Sequence, residues 1–263
     1  MVLAVAAGVS ALTGCSAGDA PAGQAGASSR EAAAERAYRP PPATTMVERL
    51  ATGGVRLGGV ADPGALIRLA TPRGAVLTTV ADPAGGWVLF APSAAEPRLF
   101  GLSMTQSDRT IRAEGYLVLT PQATAAQLRA GAGAWVLNPT AASARIEAVD
   151  FDRKGGAVIS GRGAPREHLG LSIDGALRGR FVAGPDGRFS LPLDEPLAPG
   201  ARRLEITGAH GGSGLVVAIS PAAPLDKSTF RATPTPSGWR IDWLTPGGGV
   251  QTTVLASQSE TPA

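Results

Sequence analysis

Apolar positions in this chain alternate with polar ones in short runs. Ile67 and Leu69 flank Arg68, and Trp239, Ile241 and Trp243 alternate with Arg240 and Asp242. A period of two belongs to a strand with one buried face. Between the runs stand turn signals: Gly53-Gly54, Asp62-Pro63-Gly64, Pro72-Arg73-Gly74, Asp82-Pro83-Ala84-Gly85 and Pro185-Asp186-Gly187. Proline presets φ in such turns and glycine supplies positive φ. The pattern predicts strands over 55–60, 65–70, 75–80, 87–90, 98–104 and 111–119. It predicts a second set over 157–162, 169–173, 178–183, 189–193, 202–207 and 215–219.

The two sets are copies. Gly161, Pro165, Leu171, Val182, Ala183, Pro185, Gly187 and Phe189 stand, without a gap, where Gly59, Pro63, Leu69, Val80, Ala81, Pro83, Gly85 and Trp87 stand in the first. The equivalent aromatics Trp87 and Phe189 read as core plugs rather than ligand platforms. The 263 residues with 35 Gly and 22 Pro therefore divide into two small β domains with appendages, and 5% aromatic content implies small aliphatic cores.

Three segments stand outside the repeat. Residues 122–132 (QATAAQLRAGA) read as a short helix with Thr124 as N-cap and Gly131 as its stop. Residues 229–233, 239–244 and 250–255 read as a three-stranded meander, in which Trp239, Ile241 and Trp243 form an apolar wall. The wall either packs on the second domain and caps it or is a solvent-facing platform for a glycan or partner strand. The candidate binding surface is Trp239, Arg240, Trp243, Val250 and Thr252, with Arg240 or Asp242 supplying hydrogen bonds and an exposed final strand open to strand addition. At the other end, residues 1–14 are apolar but shorter than the roughly 20 residues of a membrane-spanning helix, and read as a targeting segment. No Lys or Arg precedes the run, which places the true start upstream or makes Met1 a misplaced initiator. Residues 16–45 are rich in Gly, Ala, Ser and Pro with no period that could bury a face, so a disordered tether is expected.

The sole cysteine, Cys15, follows Leu12, Thr13 and Gly14, and this L-T-G-C resembles the lipobox of bacterial lipoproteins. The resemblance implies a diacylated Cys15 after removal of the preceding peptide, and Ser16 then implies passage to the outer membrane. The repeats resemble bacterial immunoglobulin-like domains, the second more fully, through G-R-G-A-P, G-P-D-G-R-F-S-L and P-L-A-P-G-A-R-R-L-E-I. Carboxypeptidase regulatory domains, similar to transthyretin, share the turn chemistry and stay open as an alternative; both are small β-sandwiches. The organisation expected is a signal peptide (1–14), a linker (15–45), two immunoglobulin-like sandwiches (46–121 and 146–222) joined by a connector (122–145), and a C-terminal meander (223–263).

Charge and chemistry narrow the function without fixing it. The net charge of +3 comes from Arg scattered among acids, which argues against nucleic acid. His168 and His210 have no carboxylate or cysteine cluster at metal-ligand spacing, and no nucleophile elbow surrounds Ser103, Ser172 or Ser213. Asp150 and Asp152 read as solvated acids beside Arg153 and Lys154. No cofactor, metal or catalytic residue is nominated, and the chain reads as a non-enzyme. The expectation is a lipid-anchored envelope protein, periplasmic or surface-facing, that binds or scaffolds envelope polysaccharide, peptidoglycan or another envelope protein. The alternative is an accessory subunit of a secretion, pilus or efflux assembly docking by an exposed edge strand.

Overall fold

The computed structural model describes residues 38–51, 53–138 and 143–257. Pro40–Ala263 make one compact unit, and Cys15 lies outside the described residues. The described residues are all-β. The first repeat contributes β1 (Ala43–Arg49), β2 (Val55–Val60), β3 (Leu66–Ala70), β4 (Val76–Val80), β5 (Gly86–Ala91), β6 (Arg98–Gln106), β7 (Arg109–Arg112) and β8 (Tyr116–Leu119). The connector contributes β9 (Ala125–Leu128) and β10 (Trp135–Val136). The second repeat follows with β11 (Arg145–Phe151), β12 (Ala157–Arg162), β13 (His168–Ile173), β14 (Ala176–Val182), β15 (Arg188–Pro192), β16 (Gly200–Gly208) and β17 (Gly211–Ile219). The chain then adds β18 (Phe230–Thr235), β19 (Gly238–Leu244) and β20 (Val250–Ala256).

Each repeat is an immunoglobulin-like sandwich with the same strand order. In the first, β1-β2-β5 faces the sheet carrying β4-β3-β6; in the second, β11-β12-β15 faces β14-β13-β16-β17. The repeated glycine and aromatic are cross-strand partners, Gly59 opposite Trp87 and Gly161 opposite Phe189. A Cβ on Gly59 would lie 2.6 Å from the Trp87 ring and 1.9 Å from Ala43 O; on Gly161 it would lie 2.7 Å from the Phe189 ring and 2.0 Å from Arg145 O. Only glycine lets the ring lie across the neighbouring strand while the next backbone closes in behind it. Both rings are buried, and each repeat also bulges its first strand, between Thr44 and Met46 and between Ile146 and Ala148.

The unrepeated segments build a third core. Strands β9 and β10 continue the first repeat's sheet beyond β8, in the order β10-β9-β8-β6-β3-β4. Strands β20, β19 and β18 continue the second repeat's sheet beyond β11, in the order β15-β12-β11-β20-β19-β18. These extensions enclose Leu99, Val118, Ala126, Leu128, Val136, Ala148, Ile241, Trp243 and Leu255. Two sheets thus become shared walls. Leu117 and Leu119 point into the first core and Val118 into the third; Val254 points into the second repeat's core and Leu255 into the third.

Three expectations are corrected. Residues 125–128 form a strand rather than part of a helix, because Ala125 enters the first core while Ala126 and Leu128 enter the third. A helix there would leave one of those faces uncovered, and alternating small residues let two cores share one strand. The predicted strand over 111–119 is broken into β7 and β8 around Gly115, whose φ is +69° and whose Cβ would lie 1.9 Å from Leu128 O. The final strand is not exposed: β20 is paired on one side with β11 and on the other with β19, and the tryptophan wall meets the first repeat rather than capping the second.

Candidate functional site

The third core closes on one side and opens on the other. Strand β18 pairs with β19 so that Phe230 faces Trp243, Ala232 faces Ile241 and Pro234 faces Trp239, which puts all six side chains on the same face of the sheet. Trp243, at 0% exposure, meets the Tyr116 ring edge-on at 5.7 Å and donates from Nε1 to Thr253 Oγ1 at 3.0 Å. Towards β18 the cover thins. Trp239 is half-buried, with Nε1 donating to Gln122 Oε1 at 2.9 Å. Beyond it the sheet face looks across a cleft of about 870 Å³ to the β3–β4 turn and to residues 94–99 before and within β6.

The cleft has an apolar floor, formed by Phe230, Ala232, Pro234 and Trp239, and a rim of both charge signs. Arg98 is committed to Pro92 O and lies 5.4 Å from the Phe100 ring, and Arg231 donates to Pro224 O at 3.0 Å. Burial lowers the pKa of Arg98. Arg73, Glu96, Asp226 and Lys227 have no ion-pair partner among the described residues. A floor of rings and proline with uncommitted charges above it has the general chemistry of a binding site for a polar ligand with an apolar face.

The five residues nominated from the sequence are not brought together. Trp239 lines the cleft and Trp243 is buried behind it. Arg240 and Thr252 are on the opposite face of the sheet. There Arg240 Nε donates to Asp242 Oδ1 at 2.9 Å, its Nη1 donates to Ser220 Oγ at 2.7 Å, and its guanidinium lies 5.6 Å from the Phe151 ring. Thr252, at 1% exposure, donates to Asp242 Oδ1 at 2.7 Å. This network ties β19 and β20 to the end of β17. Val250 is half-buried at the start of β20, opposite Leu244. The cleft residues that sequence reasoning missed, Arg73, Glu96, Asp226 and Lys227, come from turns far apart in the chain and carry no periodic signal.

Strand β18 is an edge, but a blunted one. Leu244 N donates to Thr229 O, so Thr229, Arg231, Thr233 and Thr235 direct their backbone groups at β19, and Phe230, Ala232 and Pro234 direct theirs outward. Ser228 Oγ donates to Phe230 O at 2.6 Å and accepts from Phe230 N at 3.4 Å, and Pro234 has no N–H. Ala232 alone keeps both outward groups.

Two carboxylates are buried at the junction. Asp150 is interior, not solvated as the sequence implied: Oδ2 accepts from Ala134 N at 2.7 Å, and Oδ1 accepts from Gln251 Nε2 at 3.0 Å and from Thr253 Oγ1. Burial pushes its carboxyl up to about 6, against the pull of those three hydrogen bonds and of the Arg129 charge. Gln251 Oε1 in turn accepts from Gly131 N at 3.0 Å. Glu147 is the extra residue of the β11 bulge; burial raises its pKa, while Arg162 at 3.4 Å and Arg145 at 3.3 Å oppose that shift. Asp152 is the solvated member of the pair, accepting from Lys154 N and Gly156 N in a turn. Trp135 is clamped beside them, with the Arg129 guanidinium 3.5 Å and the Arg188 guanidinium 4.9 Å from its ring centroid.

Among the described residues no group of three or more His, Cys, Asp and Glu side chains gathers at metal-holding distance. His210 is instead a partner of Glu167, whose Oε1 lies 3.2 Å from Nδ1 and accepts from the His210 backbone N. His168 is exposed at the start of β13.

The chain matches no protein-family model and no curated protein. Among solved structures it is similar to the BSP domain of a biofilm-associated protein, at 12% identity over 70% of this chain and 30% of that one, with a TM-score of 0.25. It is also similar to the central fibronectin-III array of RIM-binding protein, at 14% identity over 82% of this chain and 85% of that one, with a TM-score of 0.26. A third is a Ca2+-stabilized adhesin with which an Antarctic bacterium binds ice, at 13% identity over 84% of this chain and 67% of that one, with a TM-score of 0.22. The chain spans 30% of the length of the first of these. At such scores the strand order and the cores, not the likenesses, define the fold.

Proposed function

We propose that the chain is a lipid-anchored binding or scaffolding protein of the bacterial cell envelope, and that its contact site is the cleft beside Trp239. The observation that carries this reading is the cleft itself: an apolar floor under uncommitted Arg73, Lys227, Glu96 and Asp226, held open between two sandwiches that a third core locks together. The ligand classes that suit it are envelope polysaccharide, peptidoglycan or another envelope protein. The L-T-G-C at residues 12–15 supports the anchor, and Ser16 supports the outer membrane, facing the periplasm or the cell surface. The role needs no bond-making chemistry. The alternative, an accessory subunit docking by an exposed edge strand, finds little support at the C-terminal strands, where β20 is paired on both sides and β18 keeps one open residue.

The test is co-sedimentation of the full chain with purified sacculi, and crosslinking to envelope proteins, for wild type and Trp239→Ala. Loss of a large aromatic contact lowers affinity by about tenfold or more. Equal capture of the two proteins would sink the assignment of the cleft. In the same cells, a Cys15→Ser variant leaves the membrane fraction if acylation holds the protein there, and stays in it if acylation does not.

A further inference from the structure

We propose that β4 is a homotypic docking edge, through which two copies of this chain pair into one continuous sheet. Ala81 N donates to Ala65 O and Thr71 N to Ala75 O, which fixes the parity of the β3–β4 ladder. Leu77 and Thr79 therefore bond to β3, while Val76, Thr78 and Val80 direct their N–H and C=O groups outward. Strand β4 is the end of its sheet, in regular register throughout, and holds neither a charge nor a proline.

The second repeat supplies an internal comparison. Its equivalent strand, β14, carries Arg178 and Arg180, and its register is broken by a bulge opposite Leu171 and Ser172. Those are the devices by which an edge is protected from pairing. Other edges are guarded too: β1 is bulged and carries Glu48 and Arg49, β18 is closed by Ser228 and Pro234, and on β17 the Val216 carbonyl accepts from Ser237 Oγ. On β4 none of these is present, and Val76, Val80 and the adjoining Leu66 are 41%, 60% and 44% exposed.

The strand is complementary to itself. An antiparallel pairing centred on Thr78 places Thr78 opposite the partner's Thr78, and Val76 opposite the partner's Val80. All the outward backbone groups of Val76, Thr78 and Val80 then find partners, with valine against valine on both sides of a threonine pair and no like charges opposed. The outer face gains an apolar row running from Leu66 and Val80 to the partner's Val76 and Ala70. A two-fold arrangement of this kind closes on itself and needs no other component. It is independent of the cleft, which is lined from the β3–β4 turn rather than from the β4 edge.

Sedimentation equilibrium of the full chain over a wide concentration range tests this, with Thr78→Lys as the disrupting variant. Thr78 is exposed but lies opposite Arg68 of β3, so the melting temperature of the single copy checks what lysine costs its fold, while at the two-fold axis two lysines meet. The expected result is a reversible dimer for wild type and a dissociation constant raised at least tenfold for Thr78→Lys. A Thr78→Cys variant, in a Cys15→Ser background, adds a register check: cross-strand Cα atoms about 5.5 Å apart lie within disulfide range, so it crosslinks to itself under oxidation, and Val80→Cys does not. A wild-type chain that is monomeric at every concentration, or a dimer unchanged by Thr78→Lys, overturns the proposal. So does equal crosslinking of the two cysteine variants.

Discussion

The least expected single residue is Asp150. A carboxylate at 2% exposure, surrounded by donors from the connector and from β20, is a fastening between segments far apart in sequence. Its pKa is raised in the folded protein, to about 6 from 3.8, so the folded state holds its proton more tightly than the unfolded one. The stability this contributes is fully present below the unfolded pKa and is lost as pH rises through the folded one. The expected loss between pH 4 and 7 is about 3 kcal/mol at most. Urea denaturation of wild type and Asp150→Asn across that range checks it: the difference in stability between them should change with pH in favour of the variant as pH rises, and a constant difference would refute the burial argument. The sequence could not show this residue as interior. Asp150 stands beside Phe151, Asp152, Arg153 and Lys154, a neighbourhood that reads as surface, and its partners Ala134, Gln251 and Thr253 come together only in the fold.

At the scale of elements, legibility follows turn chemistry and composition. Strands β3, β4 and β14 have a wet face and show alternation. Strands β11 and β12, buried on both faces, are still marked by β-branched residues and flanking glycines, and Gly59, Gly161, Trp87 and Phe189 mark the sandwich in the sequence. Strand β9 is buried except at the half-buried Gln127. Its Ala-Ala-Gln-Leu composition reads as helix, although small residues are what a strand between two cores requires. The three C-terminal strands were legible one by one, and their place in the sheet was not, since period two says which residues share a face but not what covers it. The repeated glycine is an element-scale property with a direct test. Gly161→Ala sets a methyl against Arg145 O and the Phe189 ring, so β11, β12 and β15 must shift together. A cost of about 1–3 kcal/mol, the usual cost of overpacking, is expected in urea denaturation. Gly175→Ala, with nothing within 4 Å of its Cβ but φ +80°, separates backbone strain from this collision.

For the whole molecule, the consequence of two shared walls is cooperativity. The first repeat's sheet and the second repeat's sheet each serve two cores, so neither sandwich can loosen without uncovering the third. Trp243 is the largest fully buried side chain in that third core. Trp243→Ala is expected to cost about 3–5 kcal/mol, typical of a buried tryptophan, and to split a single unfolding transition into two. Calorimetry distinguishes the outcomes: one sharp transition persisting in the variant would mean that the sandwiches are coupled by something other than this core. The cleft beside Trp239 should lose its shape in the same variant, since its floor is the outer margin of the sheet face that Trp243 anchors.

The position of β20 between β11 and β19 also sets an order of events as the chain emerges N-terminus first. Strand β11 emerges about 100 residues before the strand that completes its sheet. Through that interval the β11 backbone groups that will pair with β20 have no partner, and Asp150 is still in water. The first repeat is complete by β8, but the surface it offers to the third core must wait for β18, β19 and β20. The emerging chain therefore carries a half-made wall, and the interval in which it is most open to mispairing lies between the emergence of Phe151 and that of Val250.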